Sequence, residues 1–359
     1  MDSKFIKGLK LNQGFYQDII KPLIDSNYPD LDYSAGLIGY GSDVLGFDTH
    51  ISMDHNWGPR LIVFLSDNKL EINKEKLDNL FKKQLPYKYK GFPTNFTDPK
   101  EDGVQSMEKI NEGEINHLIE ITGVKEYLNR YLSVENIENI NLIDWLKFSD
   151  QSLIELTAGE IFHDGLGQLQ SIREYLKFYP DDVLRLKLAA LWYYISQEEA
   201  FIGRNLDIGE EMGVKLISSR IVNALIKICF YCERKYIPYS KWFTRSFKKL
   251  DCYQEIGDLF YEILEFEDLS KTGKKLCQAY KKVVSIQNKL ELTEDIEVKV
   301  VDYYGRPYKV VFTEKIKDKL IESIKDKNLK KVNLDYVSLI QNSNGIDLTN
   351  NQKLFNELF

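Results

Sequence analysis

The sequence predicts an α+β protein, a small mixed-sheet core followed by a mainly helical domain. Three observations carry that expectation. A bare apolar run, Leu61 to Leu65, follows a glycine-rich stretch, as a buried strand does. A second apolar run, INHLIEITG at 115–123, ends in Thr-Gly. Beyond residue 140 or so the apolar positions switch to a 3.6-residue period, and they keep it to about residue 285. The expected division is a core over 1–135, a helical domain over 136–285, and a C-terminal hairpin and helix over 286–359 packed on the rest.

Taken in order, residues 4–25 read as a helix, with Phe5, Ile6, Leu9, Phe15, Ile19, Ile20 and Leu23 at helical spacing. Pro22 is expected to bend or end it, because its ring blocks a regular helical turn. A glycine-rich turn and a short extended stretch lead into the strand at 61–65. KEKLDNLFKKQL (74–85) reads as a helix, YKYKGFPTNFTDPKEDG as loop and edge, and VKEYLNRYL as the helix that follows the second strand. DWLKFSDQSLIELTAGEIF, LQSIREYLKF, DDVLRLKLAALWYYISQEEAFIGR and GEEMGVKLISSRIVNALIKICFYCERKY all carry the helical period. Tyr179-Pro180-Asp181-Asp182 starts a helix, with acidic residues at the positive end of its dipole. EVKVVDYYGRPYKVVF reads as a hairpin around Tyr-Gly, and TEKIKDKLIESIKD as a last helix.

Composition narrows the function classes. With 43% hydrophobic and 29% charged residues the chain is an ordinary globular one. A net charge of -7 argues against a general nucleic-acid-coating surface while leaving room for a local basic cleft. No apolar run approaches the roughly 18 residues of a membrane span, and MDSKFIKGLK has no signal-peptide core, so no membrane partner and a cytoplasmic location are expected. Four cysteines do not make a disulfide framework. Cys229 and Cys232 form a C-x-x-C, but no second pair completes a zinc set, and half-buried helix cysteines are the better reading.

One segment has an order of residues that a packed core does not require. Gly41-Ser42 is followed by eleven residues and then Asp54-His55-Asn56. In an extended segment Asp54 and Asn56 point to the same side, because side chains alternate. Two oxygen ligands side by side suit Mg²⁺ (or Mn²⁺), which binds through a few carboxylates and substrate phosphates. Gly41 lets backbone approach a phosphate closely, and Ser42 adds a hydroxyl. Glu120, between Ile119 and Ile121, is expected to bring a third oxygen ligand, a carboxylate, from a neighbouring strand, an arrangement that lets two metals clamp an in-line phosphoryl displacement. Competing motifs are absent: there is no G-x-x-x-x-G-K-[ST], no third glycine for a dinucleotide fingerprint and no G-x-S-x-G elbow.

Gly-Ser, a spacer of this length, then Asp-x-Asp/Glu on a strand resembles the signature of the DNA polymerase beta-like nucleotidyltransferase superfamily. SMDHNWGPR (52–60), DWL (144–146), FHDGLG (162–167), REYLKFYPDDV (173–183), QEEAFIGR (197–204), ERKYIPYSKWF (233–243) and RPYKVV (306–311) look like an uncharacterised bacterial family filed as a domain of unknown function within that superfamily. Its usual first motif is DHDWGPR, and Asn56 stands where that pattern has its second Asp. The resemblance implies a nucleotidyltransferase core whose cleft is closed by the helical domain. It implies an NTP substrate, Mg²⁺ or Mn²⁺ held by Asp54, Asn56 and Glu120, and transfer of an NMP to a hydroxyl-bearing acceptor: a small molecule, an RNA end or a protein. The alternative it leaves is a catalytically weak or inactive nucleotide-binding or interaction protein on the same fold, which Asn56 favours because an amide brings no charge to the metal.

Other residues carry two readings each. Arg60 is either a salt-bridge residue or a phosphate contact, after a rigid bend at Trp57-Gly58-Pro59. Lys241, in a loop beyond Pro238, reaches a triphosphate or caps the preceding helix. Arg204, with Glu198 and Glu199 near the end of a long helix, is a nucleotide contact or part of a solvated, ion-paired face. Asp48 is expected in a turn or cap, His55 pointing away from Asp54, and His163-Asp164 as a base with its orienting carboxylate or as a loop turn.

Overall fold

A computed structural model of the chain describes residues 5–101, 103–343, 345, 357 and 358. The chain divides into two compact units, one from 1–139 with 152–177, the other from 140–151 with 178–359.

The first unit holds the sheet. Helices α1 (Gly8–Phe15) and α2 (Lys21–Asn27) are joined without a break by a π-helical turn, Tyr16–Ile20. Pro22 neither ends nor breaks this helix. It sits in the first turn of α2, and the wider turn just before it relieves the clash and the missing N–H that a proline brings. Strands β1 (Ser34–Leu37) and β2 (Arg60–Leu65) are buried at every residue, as strands covered on both faces are. α3 (Asp67–Gln84) follows and is longer than its periodic 74–85 segment. Four two-residue strands, β3 (Lys88–Tyr89), β4 (Phe92–Pro93), β5 (Asn95–Phe96) and β6 (Met107–Glu108), make small ladders in the loop region. Then come β7 (Leu118–Gly123) and α4 (Val124–Leu132), short helices α5 (Asp144–Lys147) and α6 (Asp150–Thr157), strand β8 (Glu160–Asp164), and α7 (Leu169–Tyr175).

The sheet order is β7-β2-β1-β8. β2 pairs parallel with β7, placing Ile62 opposite Glu120, and β1 is antiparallel to both its neighbours. β8 corrects the sequence reading, which carried the helical period through EIF at 160–162. β1 offers an open edge, and a strand edge left unpaired leaves backbone donors and acceptors unsatisfied. That pairing is why residues 152–177 join the sheet unit rather than the helical stretch around them.

The second unit is helical. α8 (Asp181–Glu198) starts where Pro180 and two acidic residues predict it. α9 (Phe201–Asp207), α10 (Glu211–Cys232), α11 (Ser240–Phe247), α12 (Tyr253–Leu264) and α13 (Thr272–Asn288) follow. The hairpin of β9 (Val301–Tyr303) and β10 (Arg306–Val310) turns at Tyr304-Gly305, both at positive φ, 46° and 76°. Such a turn matches the twist of the flanking strands. α14 (Glu314–Ser323) and α15 (Leu334–Asn342) complete the unit, the latter not anticipated from sequence. α8 packs against α10, α14 and α15. Cys229 and Cys232 are buried and free. No helix among the described residues is long and apolar enough to cross a membrane.

Glu199 is a correction to the solvated-face reading. It is buried, and its carboxylate accepts from Val311 N at 2.6 Å and Thr313 N at 3.1 Å, tying the end of β10 to the end of α8. Glu198 does pair at the surface, with Arg220 at 2.6 Å.

Candidate functional site

The site begins where β1 runs into a glycine-rich turn. Gly39 and Gly41 have φ of 92° and 130°, a region side chains rarely enter. A Cβ on Gly41 would lie 2.3 Å from Asp43 Oδ1 and 2.5 Å from Arg60 Nη2, so only glycine lets the loop pass over that pair. The Ser42 carbonyl accepts from Phe47 N at 2.8 Å and Asp48 N at 3.0 Å, closing the loop. Asp48 is buried and accepts from Gly8 N at 2.7 Å, capping the start of α1, and from Trp57 Nε1 at 3.1 Å.

Arg60, the first residue of β2, is buried against Asp43. Its Nη2 donates to Asp43 Oδ1 at 2.8 Å and to the Tyr40 carbonyl at 2.9 Å, and its Nε donates to Asp43 Oδ2 at 3.3 Å. The Tyr40 ring lies 5.2 Å from the guanidinium. Burial works against the charge, and Asp43 outweighs it, leaving Arg60 more firmly protonated than usual. The salt-bridge reading of Arg60 is thus the one the geometry displays.

Beside this pair lies a cavity of about 170 Å³, lined by Gly39, Tyr40, Arg60, His117, Glu120 and Tyr131 among others. Glu120 is partly exposed and pairs with Arg130 at 2.6 Å. Burial pushes the Tyr131 hydroxyl up to about 12, so it stays a proton donor. Burial pushes His117 down, and its Nδ1 accepts from Ile119 N at 3.2 Å, which fixes a neutral ring. The structure therefore brings Gly41, Arg60 and Glu120 together. Asp43, Arg130 and Tyr131 belong to the same place and went unnoticed from sequence. Asp43 follows Gly41-Ser42 directly, but only the fold reveals its partner.

Asp54 and Asn56 are arranged otherwise than expected. Asp54 ends a 3₁₀ turn, His50–Asp54, and β2 begins only at Arg60, so Asp54 is outside the sheet that carries Glu120. His55 does not point away: its Nδ1 is 2.8 Å from Asp54 Oδ1. Asn56 has φ 44°, so the two side chains do not alternate as on a strand. Asn and Asp tolerate that left-handed conformation better than other residues. Gln105 N donates to Asn56 Oδ1 at 2.7 Å, Asn56 N donates to Gln105 O at 2.8 Å, and Ser106 Oγ donates to Asp54 O at 2.9 Å. The turn is stapled to the 104–106 loop. Among the described residues no three His, Cys, Asp or Glu side chains group as metal ligands.

The remaining candidates lie in the helical unit. Lys241 is not in a loop but is the second residue of α11, exposed, with Nζ 5.0 Å from the Trp242 ring. Arg204, in α9, stacks on Phe201 at 5.5 Å and Tyr303 at 5.8 Å. His163 packs on Tyr33 at 4.8 Å, while Asp164 accepts from Ser34 Oγ at 2.7 Å and from Gln170 N at 3.0 Å, the turn-and-cap reading.

Residues 145–243 match one family model, Domain of unknown function (DUF4037). That match takes in FHDGLG, REYLKFYPDDV, QEEAFIGR and ERKYIPYSKWF, and leaves SMDHNWGPR and RPYKVV outside. No curated protein matches the chain. A crystal structure of a nucleotidyltransferase-like protein from Exiguobacterium sibiricum 255-15 resembles it at 10% identity, covering 89% of this chain and 91% of that one, with a TM-score of 0.33. A likeness that loose carries no argument about this site.

Proposed function

We propose that the chain binds a nucleoside triphosphate, as its Mg²⁺ or Mn²⁺ complex, at the Gly41-Ser42 loop, and transfers an NMP to a hydroxyl-bearing acceptor. One observation carries the reading: a glycine-rich loop leaving β1 lies against a cavity that holds both a cation, Arg60, and a carboxylate, Glu120. Backbone without a Cβ lets phosphate oxygens reach N–H groups directly. In the transfer, the acceptor hydroxyl oxygen bonds to the α-phosphorus as the bond to the α–β bridging oxygen breaks. Pyrophosphate leaves, and the Glu120 carboxylate takes the hydroxyl proton. The divalent ion enters as part of the substrate. Arg60 is the cation at this cavity that would neutralise phosphates.

A second reading, nucleotide binding with little or no turnover, has its own support. Asp54 stands outside the sheet, and Glu120 is already paired with Arg130. The test is incubation of the full chain with each labelled NTP under Mg²⁺ and Mn²⁺, across small-molecule, RNA and protein acceptors, reading pyrophosphate release. Turnover that Glu120→Ala abolishes supports transfer. Calorimetric NTP binding without turnover supports the second reading, and no NTP binding overturns both.

A further inference from the structure

The helical unit contains a larger cavity, about 350 Å³, whose walls come from α5, α6, α8, α10, α11 and α15. That volume is at the small end for ligand sites. All of its walls except α15 come from residues 145–243, the stretch that matches the family model. Asn223, Lys227 and Tyr231 recur every four residues, so one face of α10 is turned to the cavity. The rest of that half of α10 is apolar and buried, among it Leu225, Ile228 and Cys229. A polar stripe on such a helix carries a desolvation cost unless something satisfies it.

Among the described residues the charges do not balance. Two ammonium groups, Lys187 and Lys227, are buried at 6% and 5% exposure, and they share one lining carboxylate, Asp150. Asp150 is already engaged: Lys187 Nζ is 3.7 Å away, Ile237 N donates to it at 2.8 Å, and the Tyr179 and Tyr231 hydroxyls donate to it as well. Lys187 also sits 4.4 Å from the centre of the Tyr179 ring. Among the described residues Lys227 has no carboxylate of its own, and its hydrogen bond goes to a backbone carbonyl, that of Gln341, at 2.5 Å. Gln341 Oε1 is buried with no hydrogen-bond partner among the described residues. A buried unpaired cation is strongly unfavourable unless a counter-charge completes it.

We infer that this cavity is a binding site for a small organic anion, whose single phosphate or carboxylate head pairs with Lys227 and whose organic part lies against Phe148 and Phe243. The head group supplies the missing negative charge, and a donor on the ligand satisfies Gln341 Oε1. The site is independent of the β1–β2 loop and stands whether or not the nucleotidyl reading does.

The experiment reads lysine protection on the full chain. Reductive methylation with formaldehyde and borohydride is followed by peptide mass spectrometry, with inorganic phosphate, acetate or phenyl phosphate present and chloride at equal ionic strength as the blank. The expected result is saturable slowing at Lys227, strongest with phenyl phosphate, and none at exposed Lys241. Phosphate protecting better than acetate assigns a phosphate head, and the reverse a carboxylate. Thermal melts of the wild type and Lys227→Met give the second measurement. Phosphate also stabilises proteins by exclusion from their surface, so the specific part is the saturable rise in Tm that Lys227→Met loses. Unprotected Lys227 with all three anions, or identical melts of the two proteins, overturns the inference. Should Lys227→Met fail to fold, the protection assay on the wild-type chain decides alone.

Discussion

Replacing Asp43 by Ala removes the counter-charge beneath the candidate site and tests what holds Arg60. Asp43 is 2% exposed and the Arg60 side chain 8%, so this pair is screened far less than surface pairs such as Lys21–Asp25. Breaking a buried pair by deleting one partner costs about 3–5 kcal/mol, because the survivor is left buried and uncompensated. Here Arg60 keeps its bond to the Tyr40 carbonyl and its place over the Tyr40 ring, and it also borders a cavity that water can enter. The lower end therefore applies, about 3 kcal/mol, or roughly a hundredfold in the opening equilibrium of the sheet unit. The assay is hydrogen–deuterium exchange of the β2 amides as urea is raised. A paired Arg60→Met background should recover most of the loss, since it removes the orphaned charge. The same substitution leaves the cation unpaired beside the cavity, so NTP binding by Asp43→Ala should tighten at concentrations where the protein is folded. A cost under about 1 kcal/mol, the scale of an exposed pair, would refute the account of Arg60 as a buried cation dependent on Asp43.

Three further outcomes follow from the geometry. Asn56→Asp keeps both the left-handed turn and the acceptor for Gln105 N, so it should change stability by no more than about 0.5 kcal/mol and tighten divalent-dependent NTP binding. Asn56→Ala, by orphaning that N–H, should cost about 1–3 kcal/mol in a urea melt. Glu199→Gln loses part of the acceptor that Val311 N and Thr313 N share, and should speed exchange of those two amides by an amount corresponding to about 1–3 kcal/mol; unchanged exchange would contradict it. Burial lowers Lys227 from 10.5 to about 8, which means the unfolded chain binds the extra proton between those values. Stability is therefore penalised below about pH 8 and recovers as pH rises through 8 to 10.5. Lys227→Met should be more stable than the wild type at pH 7, with the difference shrinking over that window in paired melts.

Much of the architecture is legible in local pattern. The 3.6-residue period marks α8 and α10, a bare apolar run marks β2, and Tyr304-Gly305 marks the hairpin, because each of these elements is recognisable from residues only a few positions apart. Gly41-Ser42 was also readable, since a left-handed, close-packed loop admits little besides glycine. What sequence alone did not decide depends on partners far along the chain. Segment 160–164 became a strand because β1, more than a hundred residues earlier, had an edge to pair. Pro22 is carried by a π turn, and Asn56 is held by Gln105, so neither the expected helix end nor the expected pair of alternating ligands appears. Glu199 reads as a surface charge until β10 presents two N–H groups to it, and Lys227 reads as one more helix lysine until five other elements enclose it. Periodicity reports which face of an element is apolar. Which charged groups are buried, and what compensates them, is set by long-range packing, where desolvation makes each missing partner expensive.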